Sequence, residues 1–325
     1  MSKMTMVQAL NLALRQEMEK DDSVILLGDD IGVDGGVFRL TEGLLDRFGA
    51  ERVIDTPLAE SAIVGVSIGM ALYGLKPVCE IQFSGFSYHG FHQIESHASR
   101  MRWRSQGRYH VPMVLRTPFS GGVRALEHHS ESREVYWSHI PGVKMVIPSG
   151  PRNARALLVS AIRDPDPVIF YESIALYRAF REEVPEEEET LPLGKSHVVR
   201  EGKDLTMIAY GAMLSPTLEA AAKLEEEEGV QAEVVDVLTL SPLDNEAFTG
   251  SVRKTGRAVV VHEAPRSFGP AAEIITRLME KEFYYLKAPI ARVTGYDVVI
   301  PLFSREKSYI PDVQRILRAA RKTLG

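Results

Sequence analysis

Two kinds of apolar spacing alternate along this chain. Residues 24–27, 52–54, 76–83, 113–116, 143–147 and 168–171 are short, nearly continuous apolar runs, and the stretches between them place apolar residues three or four apart. Short continuous runs read as strands buried on both faces, and the spaced stretches as helices. The spacing predicts helices over 5–20, 41–48, 61–73, 88–104 and 152–163. Strand and helix in alternation imply an α/β fold with a parallel sheet covered on both sides. After a break the alternation resumes, with strands over 205–209, 232–236, 258–262 and 290–294 and helices over 215–228, 247–253, 271–281 and 311–324. The break is the run EEVPEEEE from Glu182 to Glu189, where like charges and a proline favour an extended, solvated connector. Two parallel-sheet domains are therefore expected: 1–181, an acidic linker 182–194, and 195–325.

One helix departs from the others. Residues 61–73 are apolar nearly all round and carry Gly65 and Gly69, so the helix is expected to be buried with another backbone close against it. Glu60 stands at its N-terminal end, after the turn DTPLA. The helix dipole favours a carboxylate there, burial raises its pKa, and a group so placed suits proton exchange with a ligand. The plainer reading is that Glu60 merely caps the helix. Upstream, the 24–27 strand runs into Gly28, Asp29 and Asp30, a loop at a strand's carboxyl edge, where open α/β sheets place their ligands.

Composition narrows the classes. The 325 residues are 45% hydrophobic, enough for two cores, and no run reaches the roughly 18 to 20 apolar residues of a membrane span. The N-terminus reads as an amphipathic helix rather than a signal peptide, and the single Cys79 excludes an internal disulfide, so a cytoplasmic protein is expected. A net charge of −6 with both signs dispersed argues against a nucleic-acid partner. Neither a GxxxxGK[ST] nor a GxGxxG run occurs, so any phosphorylated cofactor must have its phosphates held by something else. Adjacent His128 and His129 lie in a long glycine-containing loop, where surface histidines are common. Phe83, Phe86, Tyr88 and Phe91 read either as core rings or as a stacking surface for a heteroaromatic ligand.

The segments LLGDDIG, DTPLAE, EIQF, the GG loop ending in HHSES, PGVKMVIPSGP, AIRDPDPVIFYE and KTGRAVVVHEA occur in that order. Together they resemble the beta subunit of the thiamine-dependent decarboxylating component of 2-oxoacid dehydrogenase complexes, over nearly the whole chain. The resemblance implies a thiamine pyrimidine-binding domain followed by a transketolase C-terminal-like domain. It also implies an alpha2beta2 heterotetramer with a beta-beta contact, in which the alpha subunit holds Mg2+ and the diphosphate of thiamine diphosphate. Glu60 matches the glutamate that bonds N1' of the aminopyrimidine and favours the imino tautomer that deprotonates thiazolium C2. Phe86 matches the ring packed on the pyrimidine, with Phe83 a second candidate, and Asp29 an acidic position near the cofactor. His129 matches the histidine implicated in passing the acyl group to lipoamide; His128 matches no role. His92 stands where some relatives place an acid. Met113, Ala161, Ile162, Asp164 and Asp166 match the loop that binds a structural potassium ion in some relatives, although an acidic turn explains them equally well.

These correspondences imply a 2-oxoacid dehydrogenase, active only with its alpha subunit, that acylates the lipoyl domain of a dihydrolipoyl acyltransferase core. Pyruvate is favoured as substrate, with branched-chain 2-oxo acids next and acetoin third. The rival expectations are a subunit that mainly docks the acyltransferase core and a transketolase-like half-enzyme acting on sugars.

Overall fold

Thr5 and Gln8 open the first helix, Met6–Lys20, by a reciprocal exchange: the Gln8 amide donates to Thr5 Oγ1 at 3.4 Å and the Thr5 amide to Gln8 Oε1 at 3.0 Å. The computed structural model describes residues 1–325 as two units, Met1–Phe119 with Tyr136–Leu193, and Ser120–Val135 with Gly194–Gly325. In the first unit six strands lie side by side in the order Val53–Asp55, Val24–Gly28, Lys76–Glu80, Val114–Phe119, Val168–Ser173, Lys144–Val146, every pair parallel. The strands Val24–Gly28, Val114–Phe119 and Val168–Ser173 are buried at every position, which is why their sequences run apolar without alternation. Parallel register also aligns their carboxyl ends: Gly28 pairs with both Asp55 and Glu80. The loops that leave those three strands therefore emerge at one edge.

In the second unit Ala291–Val293, Ala258–Val261, Leu205–Ala209 and Ala232–Asp236 are parallel, and His197–Arg200 adds an antiparallel edge. Leu205, Met207, Val234, Val259 and Val261 pack with Leu224, Ile316 and Leu317 in its core. The helix Val313–Leu324 starts where Asp312 accepts the Arg315 amide at 2.7 Å.

Several local readings change. The acidic run is not a bare connector: Glu182–Val184 is a strand antiparallel to Ser2–Met4. The glutamates after it are met by cations that helices bring to them. Glu188 pairs with Lys20 and Arg163, whose hydrogen bonds hold its carboxyl down at about 2, and Glu189 pairs with Arg152 at 2.6 Å. The helix expected over 41–48 begins only at Leu44, because Gly43 takes φ 78°. That expected over 88–104 breaks at His97 into Tyr88–Ser96, a 3-10 turn at Ala98–Arg100, and Met101–Arg104. The histidine loop, read within residues 1–181, groups as Ser120–Val135 with the second unit.

Candidate active site

The shared strand edge of the first unit forms a cleft lined by Asp29, Leu58, Ala59, Glu60, Ile63, Glu80, Ile81, Gln82 and Phe86. Glu60 is the first residue of the helix Glu60–Leu72 and is half-buried. Ala59 in the N-cap position offers no side-chain bond, and Glu60 is the acidic residue of the first turn. Its carboxylate thus faces a helix N-terminus and lines a cleft at once. The loop before it is fastened across the edge: Asp55 accepts the amides of Gly32 at 2.5 Å and Val33 at 3.1 Å. A Cβ at Gly32 would stand 2.7 Å from the Asp55 carboxylate, so the fastening requires glycine. Gln82 donates to Asp29 at 2.8 Å and to Asp30 at 3.3 Å. Burial, and then the charges of Asp30, Glu60 and Asp55, push the Asp29 carboxyl above its ordinary value.

Among the aromatic residues, Phe86 lines the cleft, while Phe83 packs edge-on against it at 5.7 Å and against Phe38 at 5.5 Å. Phe91 instead lies against the buried Trp137 at 5.2 Å, and Tyr88 against Tyr136 at 6.0 Å. Phe91 is half-buried and packs on a core ring, as the packing reading had it.

Behind the cleft lies an ionic cluster that the sequence reading missed. Arg116 grips Glu172 with two bonds, at 2.7 and 2.8 Å, and reaches Glu80 at 2.8 Å; Tyr177 donates to Glu172 at 2.6 Å. All four residues are buried. Burial raises the Glu80 carboxyl against the pull of Arg116, and the guanidinium stays charged between two acids. The signal was available: Arg116 and Glu172 each stand as a lone charge inside the apolar strands VLRTPF and VIFYES, and Glu80 ends the strand KPVCE.

His129 closes a 3-10 turn, Glu127–His129, and is half-buried. It belongs to the second unit, and Glu60, Asp29 and Phe86 to the first. His128 is exposed, 3.1 Å from Glu127, and Glu131 pairs with Arg133 at 3.3 Å. His92 lies with its ring 5.4 Å from that of His97.

At the turn after the helix Pro151–Arg163, Asp164 receives the Lys144 ammonium at 2.6 Å, and Asp166 receives Arg102 at 2.7 Å. The Met113 carbonyl accepts the Val168 amide at 3.0 Å and the Ala161 carbonyl the Asp164 amide at 3.3 Å. The acidic pair is thus charge-balanced by protein cations.

The all-round apolar helix is not buried all round. Ile63, Val64, Ser67, Ile68 and Ala71 face inward, but Val66 is 51% and Tyr73, just past the helix, 91% exposed. A Cβ at Gly69 would meet nothing within 4 Å, and one at Gly65 only the Gln93 side chain at 3.7 Å. One chain covers one face of this helix and leaves the glycine face open.

Comparisons with known proteins also divide the chain in two, but they keep residues 120–135 with the first domain, as the sequence reading did. Residues 2–179 match the transketolase pyrimidine-binding domain and residues 194–316 the transketolase C-terminal domain. The chain is 50% identical over 322 residues to the pyruvate dehydrogenase E1 component subunit beta of Acholeplasma laidlawii, covering 99% of this chain and 98% of that one. It is 49% identical over 324 residues to the protein of the same name from Bacillus subtilis (strain 168), covering 100% and 99%. Among solved structures, a split gene transketolase described as an inactive beta4 tetramer aligns with a TM-score of 0.81 over 99% of both chains at 22% identity, a likeness of fold.

Proposed function

Because the chain belongs to the family of pyruvate dehydrogenase E1 component beta subunits, transketolase-like components of 2-oxoacid dehydrogenases, we propose that it decarboxylates pyruvate with thiamine diphosphate and passes the acyl group to a lipoyl domain. The observation that carries this is the cleft, whose lining includes the half-buried carboxylate of Glu60 and the aromatic ring of Phe86. That pair fits the edge and the face of an aminopyrimidine. Thiamine diphosphate, when bound, supplies a carbon nucleophile for the 2-oxo carbon and an acceptor for the electrons left as CO2 departs. The residues of this chain do the rest of the work assigned to it. Glu60 holds a proton at the pyrimidine ring nitrogen N1', Phe86 packs the ring face with Phe83 behind it, and Asp29 adds a carboxyl whose pKa burial and the neighbouring acids raise. His129 gives a proton to the dithiolane sulfur as the lipoyl ring opens.

No cluster of three or more acidic, histidine or cysteine side chains is placed to hold a metal, and the phosphate-binding glycine motifs are absent from the sequence. We assign Mg2+ and the diphosphate to an alpha subunit, in an alpha2beta2 assembly with a beta-beta contact, in the cytoplasm, serving a dihydrolipoyl acyltransferase core. The open Gly65 and Gly69 face suits a close helix packing in that assembly. A potassium ion at Asp164 and Asp166 would have to share them with Lys144 and Arg102, and the ion pairs account for the acidic turn without it. Branched-chain 2-oxo acids are the next substrate class and acetoin the third; a purely docking subunit would have no use for Glu60 and His129.

The test is dye-coupled turnover by this chain with its alpha partner, thiamine diphosphate and Mg2+, across pyruvate, branched 2-oxo acids and acetoin. Pyruvate turnover that needs both chains is expected, and Glu60→Gln should lower kcat on the order of 10²-fold or more. Full turnover by Glu60→Gln would remove the mechanism.

A further inference from the structure

We infer that Glu263 and Glu306 are positioning residues for the loop that carries His129, and so set the rate of acyl transfer without touching the decarboxylation step. The inference rests on the role proposed above for His129. Its ground is the way residues 120–135 are held within the second unit.

The loop is conformationally costly. Ser120 takes φ 78° and Arg124 φ 57°, left-handed values that side-chain-bearing residues avoid unless their surroundings impose them. The surroundings are two carboxylates from far along the chain. Glu306 accepts the Gly122 amide on one oxygen at 2.9 Å and the Arg124 amide on the other at 3.1 Å. Glu263 accepts the Gly121 amide at 2.5 Å and the Ser132 hydroxyl at 3.3 Å, both on Oε1. The first carboxylate therefore shapes the entry of the loop, and the second ties its entry to its exit. His129 sits in the 3-10 turn between those fixed points.

Packing alone does not account for these acids. Glu263 and Glu306 are 4% and 2% exposed, and a buried carboxylate is costly unless its bonds are needed. The approach is also tight. A Cβ at Gly121 would stand 2.9 Å from Ile300 and 3.0 Å from a Glu306 oxygen, so glycine is what allows the backbone to reach the carboxylate. Hydrogen bonds to an acid's two oxygens fix direction as well as distance, which a hydrophobic contact would not.

The experiment uses the assembled enzyme with its alpha partner and cofactor, and reads two activities: dye-coupled decarboxylation, and acylation of a lipoyl domain. Glu306→Ala is expected to lower lipoyl acylation about tenfold or more, as misplacement of a reacting group does, and to leave dye-coupled turnover unchanged. Glu306→Gln keeps one acceptor oxygen and should fall between; it also serves if the alanine variant fails to fold. Combined with His129→Ala, Glu306→Gln should cost nothing further, because both act on one group. Parallel loss of both activities, or a multiplied loss in the double variant, would overturn the positioning role and leave the role of His129 standing. A wild-type enzyme that reduces dye yet never acylates the lipoyl domain would overturn the His129 reading, and the positioning role with it.

Discussion

Each unit buries carboxylates at the carboxyl edge of its sheet or beside it, and each neutralises them differently. In the first, Glu80 and Glu172 share a guanidinium, Arg116, with Tyr177 as an added donor. In the second, Glu263 and Glu306 take backbone amides and a hydroxyl, and Glu134 takes the Tyr210 hydroxyl at 2.5 Å. A full charge anchors a cluster in place; amide dipoles compensate a charge only in part, so those acids stay sensitive to protons. The first arrangement suits a rigid wall behind a cofactor cleft. The second suits a clasp on a loop.

The comparison breaks most directly at its cation. Arg116→Met would leave Glu80 and Glu172 buried without their partner, and removing one member of a buried pair costs about 3–5 kcal/mol. Denaturant unfolding should show that loss as a lower midpoint at constant slope. A cost under about 1 kcal/mol would mean that the two acids take up protons cheaply, and that the first cluster is compensated no differently from the second.

The second cluster should betray itself through pH. Burial outweighs the bonds from Gly121 and Ser132 and pushes the Glu263 carboxyl up to about 7 from an ordinary 4.5, with the charges of Glu134 and Glu306 adding to the shift. The folded chain therefore binds a proton that the unfolded chain has released between those values. Stability from this group is complete below 4.5, falls as pH rises, and levels off above 7. The expected loss is on the order of 3 kcal/mol. Glu263→Gln, which cannot ionise, should flatten that part of the profile in unfolding measurements between pH 5 and 8. An unchanged slope would place the compensation of Glu263 on a par with that of Glu172.

Much of this was legible in the sequence, and the part that was not has a common cause. Continuous apolar runs marked the strands because a doubly covered sheet leaves no solvent face to reveal alternation, and Thr5 with Gln8 marked the first helix because capping is local. Glu60 and Asp29 stood out near strand ends and Phe86 through the family resemblance, and all three line one cleft. What sequence could not supply was pairing over distance. Arg116 finds Glu172 and Glu80, Glu306 finds Gly122, and Glu188 finds Arg163 and Lys20, each across many residues with no fixed spacing to read. The acidic run looked like a connector for that reason, since its repulsion is evident locally and its partners are not. The helix after Glu60 misled in the opposite sense: its composition described a burial that one chain supplies on only one face.

A smaller effect sharpens the contrast, because the two clusters contain the same probe. Tyr177 donates to the carboxylate that Arg116 grips, at 2.6 Å, and Tyr210 donates to Glu134, whose carboxyl burial pushes toward the protonated form. Both hydroxyls are buried, and Tyr→Phe removes the donor with almost no change in volume. A hydrogen bond to a charged group is worth about 1.5–3 kcal/mol and one between neutral groups about 0.5–1.5. Tyr177→Phe should therefore cost more than Tyr210→Phe in unfolding experiments at pH 7. Equal costs at both positions would mean that the two ways of compensating a buried acid are equivalent here.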